Sequence, residues 1–217
     1  EVNLPSGYSY GDPISFAATF PSSNNIVGDT YGPKYEWSDA AIYSQQYAVQ
    51  AGYSGIALVS RQTGEYIDHG STGDPAYRVD SDGHTIILSS RTEELSLWNV
   101  EAARLIKLAT IGTIGVHEDV AVANNNVAVC WRNNGLRLYN IQGEYLSTVP
   151  AEDAFAVDIF GTLLVFTDKD KLVLVDLSNP IHPVELDRIK MPAEGRDVSW
   201  NGVHVAVGLG GNGVITY

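Results

Sequence analysis

Apolar and polar positions in this chain alternate over short stretches, as in Asp119-Val120-Ala121-Val122-Ala123 and Asp197-Val198-Ser199-Trp200. Other stretches are apolar throughout, such as Val127-Ala128-Val129-Cys130-Trp131. A period of two places successive side chains on opposite faces of a strand, and unbroken β-branched runs suit strands covered on both faces. The dipeptides Asp82-Gly83, Asn124-Asn125 and Asn201-Gly202 separate such stretches. Residues of these types accept the positive φ angles that tight antiparallel turns require. Between Arg91 and Leu108 the run Glu101-Ala102-Ala103-Arg104-Leu105 is a good local helix former. The longer-range pattern nevertheless assigns this stretch to strands.

That pattern is a repeat. A polar or small residue is followed by apolar-x-apolar, then an aromatic residue or Val, and often Asn or Asp. It reads Gly55-Ile56-Ala57-Leu58-Val59, Glu94-Leu95-Ser96-Leu97-Trp98-Asn99-Val100, Gly135-Leu136-Arg137-Leu138-Tyr139-Asn140-Ile141, Lys171-Leu172-Val173-Leu174-Val175-Asp176-Leu177 and, truncated, Gly213-Val214-Ile215-Thr216-Tyr217. Aligning Leu58, Leu97, Leu138, Leu174 and Thr216 gives spacings of 39, 41, 36 and 42 residues. Periods of this size with several strands each predict a propeller.

The expected architecture is all-β: one five-bladed β-propeller domain over residues 1–217, built of four-stranded antiparallel blades. The blade repeats run at about 37–69, 76–109, 117–149, 154–190 and 195–217. The last repeat stops one strand short, and the apolar segment Ile14-Ser15-Phe16-Ala17-Ala18-Thr19-Phe20 is expected to complete it. Pairing the N-terminal and C-terminal strands would close the ring and cover two sheet edges.

The run Leu172-Val173-Leu174-Val175-Asp176-Leu177-Ser178-Asn179-Pro180-Ile181-His182-Pro183-Val184, continued by Arg196-Asp197-Val198-Ser199-Trp200-Asn201-Gly202-Val203-His204-Val205-Ala206-Val207, resembles the LVIVP repeat. That repeat occurs in bacterial and archaeal surface propellers. The likeness is specific over Lys171 to Gly208 and loose elsewhere, since the stretches around Leu58 and Leu138 lack the Asp-x-Ser-Asn-Pro turn. It implies a fold and a surface habit, not an activity.

Composition narrows the partners. Hydrophobic residues are 44% and charged residues 18% of the chain, the balance of a folded globule. A net charge of −13 opposes binding to nucleic acid and to anionic membranes, which need clustered Lys and Arg. No apolar run approaches the length of a membrane span, so no insertion is expected. Abundant Asn, Tyr and Gly with few Lys points to a secreted or cell-surface protein, with a cytoplasmic one left open. Glu1-Val2-Asn3-Leu4-Pro5 does not read as a signal peptide. A monomer is expected. Cys130 is the only cysteine and sits in an apolar run, which predicts a buried, inert thiol.

In a propeller the loops leading into the innermost strands form one mouth of the central channel, and function concentrates on such loops. Asp39, Asp119 and Asp197 align in the repeat, the mark of structural acceptors for backbone amides. Tyr77, Arg78, His117, Glu118, Phe155 and Arg196 vary from repeat to repeat and are the candidate ligand residues. Tyr31, Tyr35 and Trp37 join them from a long preceding stretch, 21–36, expected to roof the mouth or to pack across the closure.

The favoured function is a non-enzymatic recognition or scaffold module binding a protein, carbohydrate or small-molecule ligand at the mouth. The alternative is a small hydrolase or lyase, with His117, Glu118, Asp39 and Asp197 as catalytic candidates. No cofactor is predicted. The five His residues show no zinc spacing, and Asp80-Ser81-Asp82-Gly83 and Asp168-Lys169-Asp170 are only fragments of calcium loops.

Overall fold

The computed structural model describes residues 37–52, 55–72, 74–90, 94–112 and 117–217. The segment 14–20, the stretch 21–36 with Tyr31 and Tyr35, and the side chain of Trp37 lie outside the described residues.

Among the described residues nineteen strands form five antiparallel sheets. The first holds β1 (Trp37–Ile42), β2 (Tyr47–Gly52), β3 (Gly55–Ser60) and β4 (Tyr66–Gly70). The second holds β5 (Ala76–Ser81), β6 (Ile86–Ser90), β7 (Glu94–Glu101) and β8 (Arg104–Gly112). The third holds β9 (Asp119–Ala123), β10 (Asn126–Cys130), β11 (Leu136–Asn140) and β12 (Tyr145–Val149). The fourth holds β13 (Ala154–Phe160), β14 (Leu163–Asp168), β15 (Lys171–Asp176) and β16 (Val184–Lys190). The last holds β17 (Asp197–Trp200), β18 (Val205–Gly208) and β19 (Val214–Thr216). Strands follow one another in space as in sequence, so every connection within a sheet is a hairpin. The repeated Leu motif forms the third strand of each sheet, as its periodicity predicts.

β1, β5, β9, β13 and β17 pack against one another in succession, which makes them the inner strands. The result is a ring of five blades, a five-bladed β-propeller. Four blades have four strands. Among the described residues the last has three, and the segment 14–20 expected to complete it lies outside them.

The core lies between blades rather than within one centre. Ile56 and Leu58 of the first blade meet Ile86, Leu88 and Trp98 of the second. Ile87 and Leu97 leave the second blade by its other face and meet Val120, Val122 and Val127. Leu136 and Leu138 pack on Val157, Leu164 and Phe166, and Val165 and Leu172 pack on Val198 and Val207. Neighbouring residues of one strand thus serve opposite faces, and the second, third and fourth blades are each covered twice. That is why the central strands read as unbroken apolar runs.

Turn chemistry follows the sequence closely. Asn124 and Asn125 have φ of 50° and 65°, the two left-handed residues of a tight hairpin. Ala102 and Ala103 take 49° and 60° at the β7–β8 turn, inside the stretch with helical propensity. Burial of Leu95, Leu97 and Leu105 on strands outweighs both that propensity and the cost of a left-handed alanine. Cys130 is fully buried, and burial pushes its thiol well above the usual range.

Candidate functional site

Each blade carries an aspartate on its inner strand, and its placement alternates round the ring. Asp39, Asp119 and Asp197 lie near the mouth, opposite Ala51, Cys130 and Gly208 of the second strands. On β5 the corresponding register, opposite Ser89, is held by Arg78. In that blade and in the one built on β13 the aspartates, Asp80 and Asp158, sit deeper.

These carboxylates clasp the ring. Asp39 Oδ2 accepts the Val79 amide at 3.0 Å and Asp80 Oδ2 accepts Val122 at 2.8 Å. Asp119 Oδ2 accepts Val157 at 2.9 Å and Asp158 Oδ2 accepts Trp200 at 2.6 Å. Each bond runs from one inner strand to the next, across a blade boundary. The alignment of Asp39 and Asp119 therefore reflects amide acceptors. Asp197 differs: its Oδ1 accepts from its own neighbour Val198, and its Oδ2 has no partner among the described residues.

Burial raises the pKa of Asp39 despite amide bonds from Val79 and Ala40, and the charge of Asp197 adds to the rise. Asp119 is raised to about 7 by burial, against the Val157 amide and Arg78. Asp80 is raised to about 6, also by burial. Desolvation penalises the charged form of each, and the amide donors offset only part of that cost.

At the mouth Asp39, Asp119, Asp197, Arg78, Arg196 and Phe155 line a cavity of about 190 Å³. Arg78 Nε donates to the Glu118 carbonyl at 3.0 Å, and its guanidinium stands 4.7 Å over the ring of Tyr77 and 4.0 Å from Asp119. This bracing fixes the side chain while its two Nη groups have no partner among the described residues. Phe155 carries two cations, with Arg196 and Arg132 each 4.8 Å from the ring centroid. Arg196, its side chain 44% exposed, also pairs with Glu194.

The structure brings together Arg78, Phe155, Arg196, Asp39 and Asp197, with Tyr77 as the support of Arg78. It places His117 elsewhere. That side chain is 1% exposed and meets Trp131 edge-on at 4.9 Å, with both ring nitrogens unpartnered among the described residues. Burial, then the charge of Arg137 stacked on the same Trp131, lowers its pKa to about 4. The Glu118 carboxylate also turns away from the cavity and pairs with Arg132, so Glu118 serves the site through its backbone carbonyl.

Two members are absent from the candidates read from the sequence. Asp119 was legible only as a structural acceptor, although its alignment with Asp39 and Asp197 was the signal. Arg132 stands at a left-handed position (φ 51°) outside the repeat, where no periodicity marks it.

The suspected calcium-loop fragments have other partners. Asp82 Oδ1 caps its own turn by accepting the His84 and Thr85 amides. Asp168 Oδ1 accepts the Glu152 and Asp153 amides. Among the described residues no group of three or more His, Cys, Asp or Glu is arranged to hold a metal ion. Among the described residues no helix is long and apolar enough to cross a membrane.

No protein-family model matches the chain, and no curated protein matches it. Among solved structures it is similar to the crystal structure of the computationally designed Ika8 protein, with a TM-score of 0.69 at 11% identity. The match covers 89% of this chain, which spans 61% of the length of that designed protein. Identity this low shows the fold alone: the chain is an all-β ring of five blades, and its chemistry must be read from the mouth itself.

Proposed function

We propose that this propeller is a non-enzymatic recognition module whose ligand is a small polar molecule held at the channel mouth. A propeller supports scaffold and binding roles in general, and the finer reading rests on one observation. Arg78 lines the cavity, is braced at Nε and over Tyr77, and keeps both Nη groups without a partner among the described residues. A half-buried guanidinium with unmet donors beside aspartates is a prepared binding group. The size of the cavity favours a small molecule over a protein segment, and a ring carrying two cations offers little open face for a sugar to stack on.

The test is a screen of small polar molecules followed by backbone amide shifts. Shifts concentrated at Val79, Val157 and Val198, whose amides bond the cavity carboxylates, support the reading. Shifts confined to the outer strands refute it. For any ligand found, Arg196→Ala should weaken binding by about 1.5–3 kcal/mol and change stability by no more than about 0.5 kcal/mol. Unfolding of that variant would place Arg196 in a structural network instead. The alternative of a small hydrolase or lyase has one observation in its favour, the elevation of Asp119 into the range useful for acid–base catalysis. A ligand recovered unchanged after long incubation supports recognition, and a consumed one supports catalysis.

A further inference from the structure

We infer that the ligand of the mouth is a small zwitterion carrying an ammonium and a carboxylate on adjacent atoms, with the size and chemistry of a free α-amino acid. This rests on the reading of the mouth as a ligand site and goes further by naming the class.

Size comes first. At about 30 Å³ of liquid volume per water, a 190 Å³ cavity takes a compact molecule. Charge comes next. The lining holds three aspartates against two arginines, and one of those arginines is already paired with Glu194. Both oxygens of Asp39 accept backbone amides, from Ala40 at 2.9 Å and Val79 at 3.0 Å. Asp119 uses Oδ2 on Val157, faces the Val120 amide as well, and holds Oδ1 4.0 Å from Arg78 Nε. Asp197 uses Oδ1 on Val198 and leaves Oδ2. Among the described residues Asp197 Oδ2 is thus the cavity carboxylate oxygen left for an ammonium, which brings three donors. In the same lining the Nη pair of Arg78 forms a fork that matches a carboxylate in two parallel bonds.

Other ligand classes satisfy only part of this lining. A simple amine answers the aspartates and leaves the Arg78 fork empty. A dicarboxylate or phosphate answers Arg78 and adds negative charge beside three aspartates. A neutral polyol supplies donors and acceptors without meeting either charge. A zwitterion pairs both signs and brings no net charge into a partly desolvated site, where an unmatched charge is costly.

The experiment titrates the full chain with L-alanine and L-lysine, with ethylamine and propionate as the separate halves, and with glucose as a neutral polyol. Binding is followed calorimetrically and by the amides of Val79, Val157 and Val198. The amino acids should bind, and each half should bind at least about tenfold more weakly, as expected when one charge-assisted contact is lost. Arg78→Gln should weaken L-alanine about tenfold or more and leave ethylamine unchanged. Asp197→Asn should weaken L-alanine and ethylamine alike and leave propionate unchanged. Halves that bind as well as L-alanine, or no binding by either amino acid, overturn the inference. Glucose binding that shifts the mouth amides while the amino acids fail overturns the zwitterion but keeps the mouth as the site. L-Alanine binding that shifts only distant amides overturns both.

Discussion

Asp168 offers the sharpest test of how the loops are held. It closes β14, its side chain is 2% exposed, and it holds three donors. Oδ1 accepts the Glu152 and Asp153 amides at 2.9 Å each, which pins the loop before β13, and Oδ2 accepts Arg188 Nη1 at 2.7 Å. Hydrogen bonds to a buried carboxylate are worth about 1.5 kcal/mol or more apiece, and breaking a buried pair costs roughly 3–5 kcal/mol. Asp168→Ala removes the whole clasp and should cost about 3–5 kcal/mol. For a chain of this size that is a fall in Tm of roughly 6–20 °C. Asp168→Asn keeps one oxygen for the two amides but turns an NH2 donor towards Arg188 Nη1, so it loses that one bond, about 1.5–3 kcal/mol, and should cost less than Asp168→Ala. Urea unfolding followed by tryptophan fluorescence measures both, since Trp98 and Trp131 are buried. A cost below about 1 kcal/mol for Asp168→Ala, or equal costs for the two variants, would show that Oδ1 does not hold the loop.

Three further outcomes are expected. Asp119 and Asp80, with pKa values near 7 and 6 when folded, retain protons that the unfolded chain releases at about 4. Their contribution to stability is therefore complete below about pH 4 and is lost as pH rises through 6 and 7. Asp119→Asn, which preserves an acceptor for Val157, should be nearly neutral at pH 4 and stabilise at pH 8 by at most about 4 kcal/mol, and paired melts at the two values check it. His117 acts in the opposite sense: being held neutral, it costs stability as pH falls below about 6.5, so the Asp119 effect must be read as a difference between variants. Cys130 should resist a bulky maleimide until denaturant is added, and rapid labelling of the native protein would contradict its burial. Gly70→Ala would place a Cβ 2.6 Å from the Trp98 ring, so overpacking should cost about 1–3 kcal/mol, and an unchanged Tm would show that the ring yields freely.

The blades were legible because one constraint, burial between neighbouring blades, recurs along the ring and writes a Leu-centred motif in four of the five repeats. The turns were legible because Asn124-Asn125 and Asn201-Gly202 are chemically suited to positive φ. The mouth was only partly legible. Alignment places Asp39, Asp119 and Asp197 at one level, since inner-strand register is set by hydrogen bonding to the second strand. His117 lies two residues before such an aspartate, yet its direction is set by the loop conformation and by the aromatic face of Trp131, neither of which has a period. Arg132 and Glu118 find each other across a hairpin through a left-handed residue, which alternation cannot reveal. The segment 14–20 and the residues Tyr31 and Tyr35 lie outside the described residues, so their proposed parts in closure and in roofing the mouth stand on the sequence.

The alternating height of the aspartates has a consequence that belongs to arithmetic. A two-valued pattern can close on itself without a fault only when the number of units is even. Here there are five, so one seam must join two blades of the same kind, and it falls between the last blade and the first. There Asp197 and Asp39 share a level, and the charge of Asp197 helps to raise the pKa of Asp39. The same oddness leaves three aspartates at the mouth and two deeper in the channel. The direction in which the channel is negative thus follows from parity, before any loop contributes. An even-numbered ring built on this alternation would have equivalent ends and no such seam.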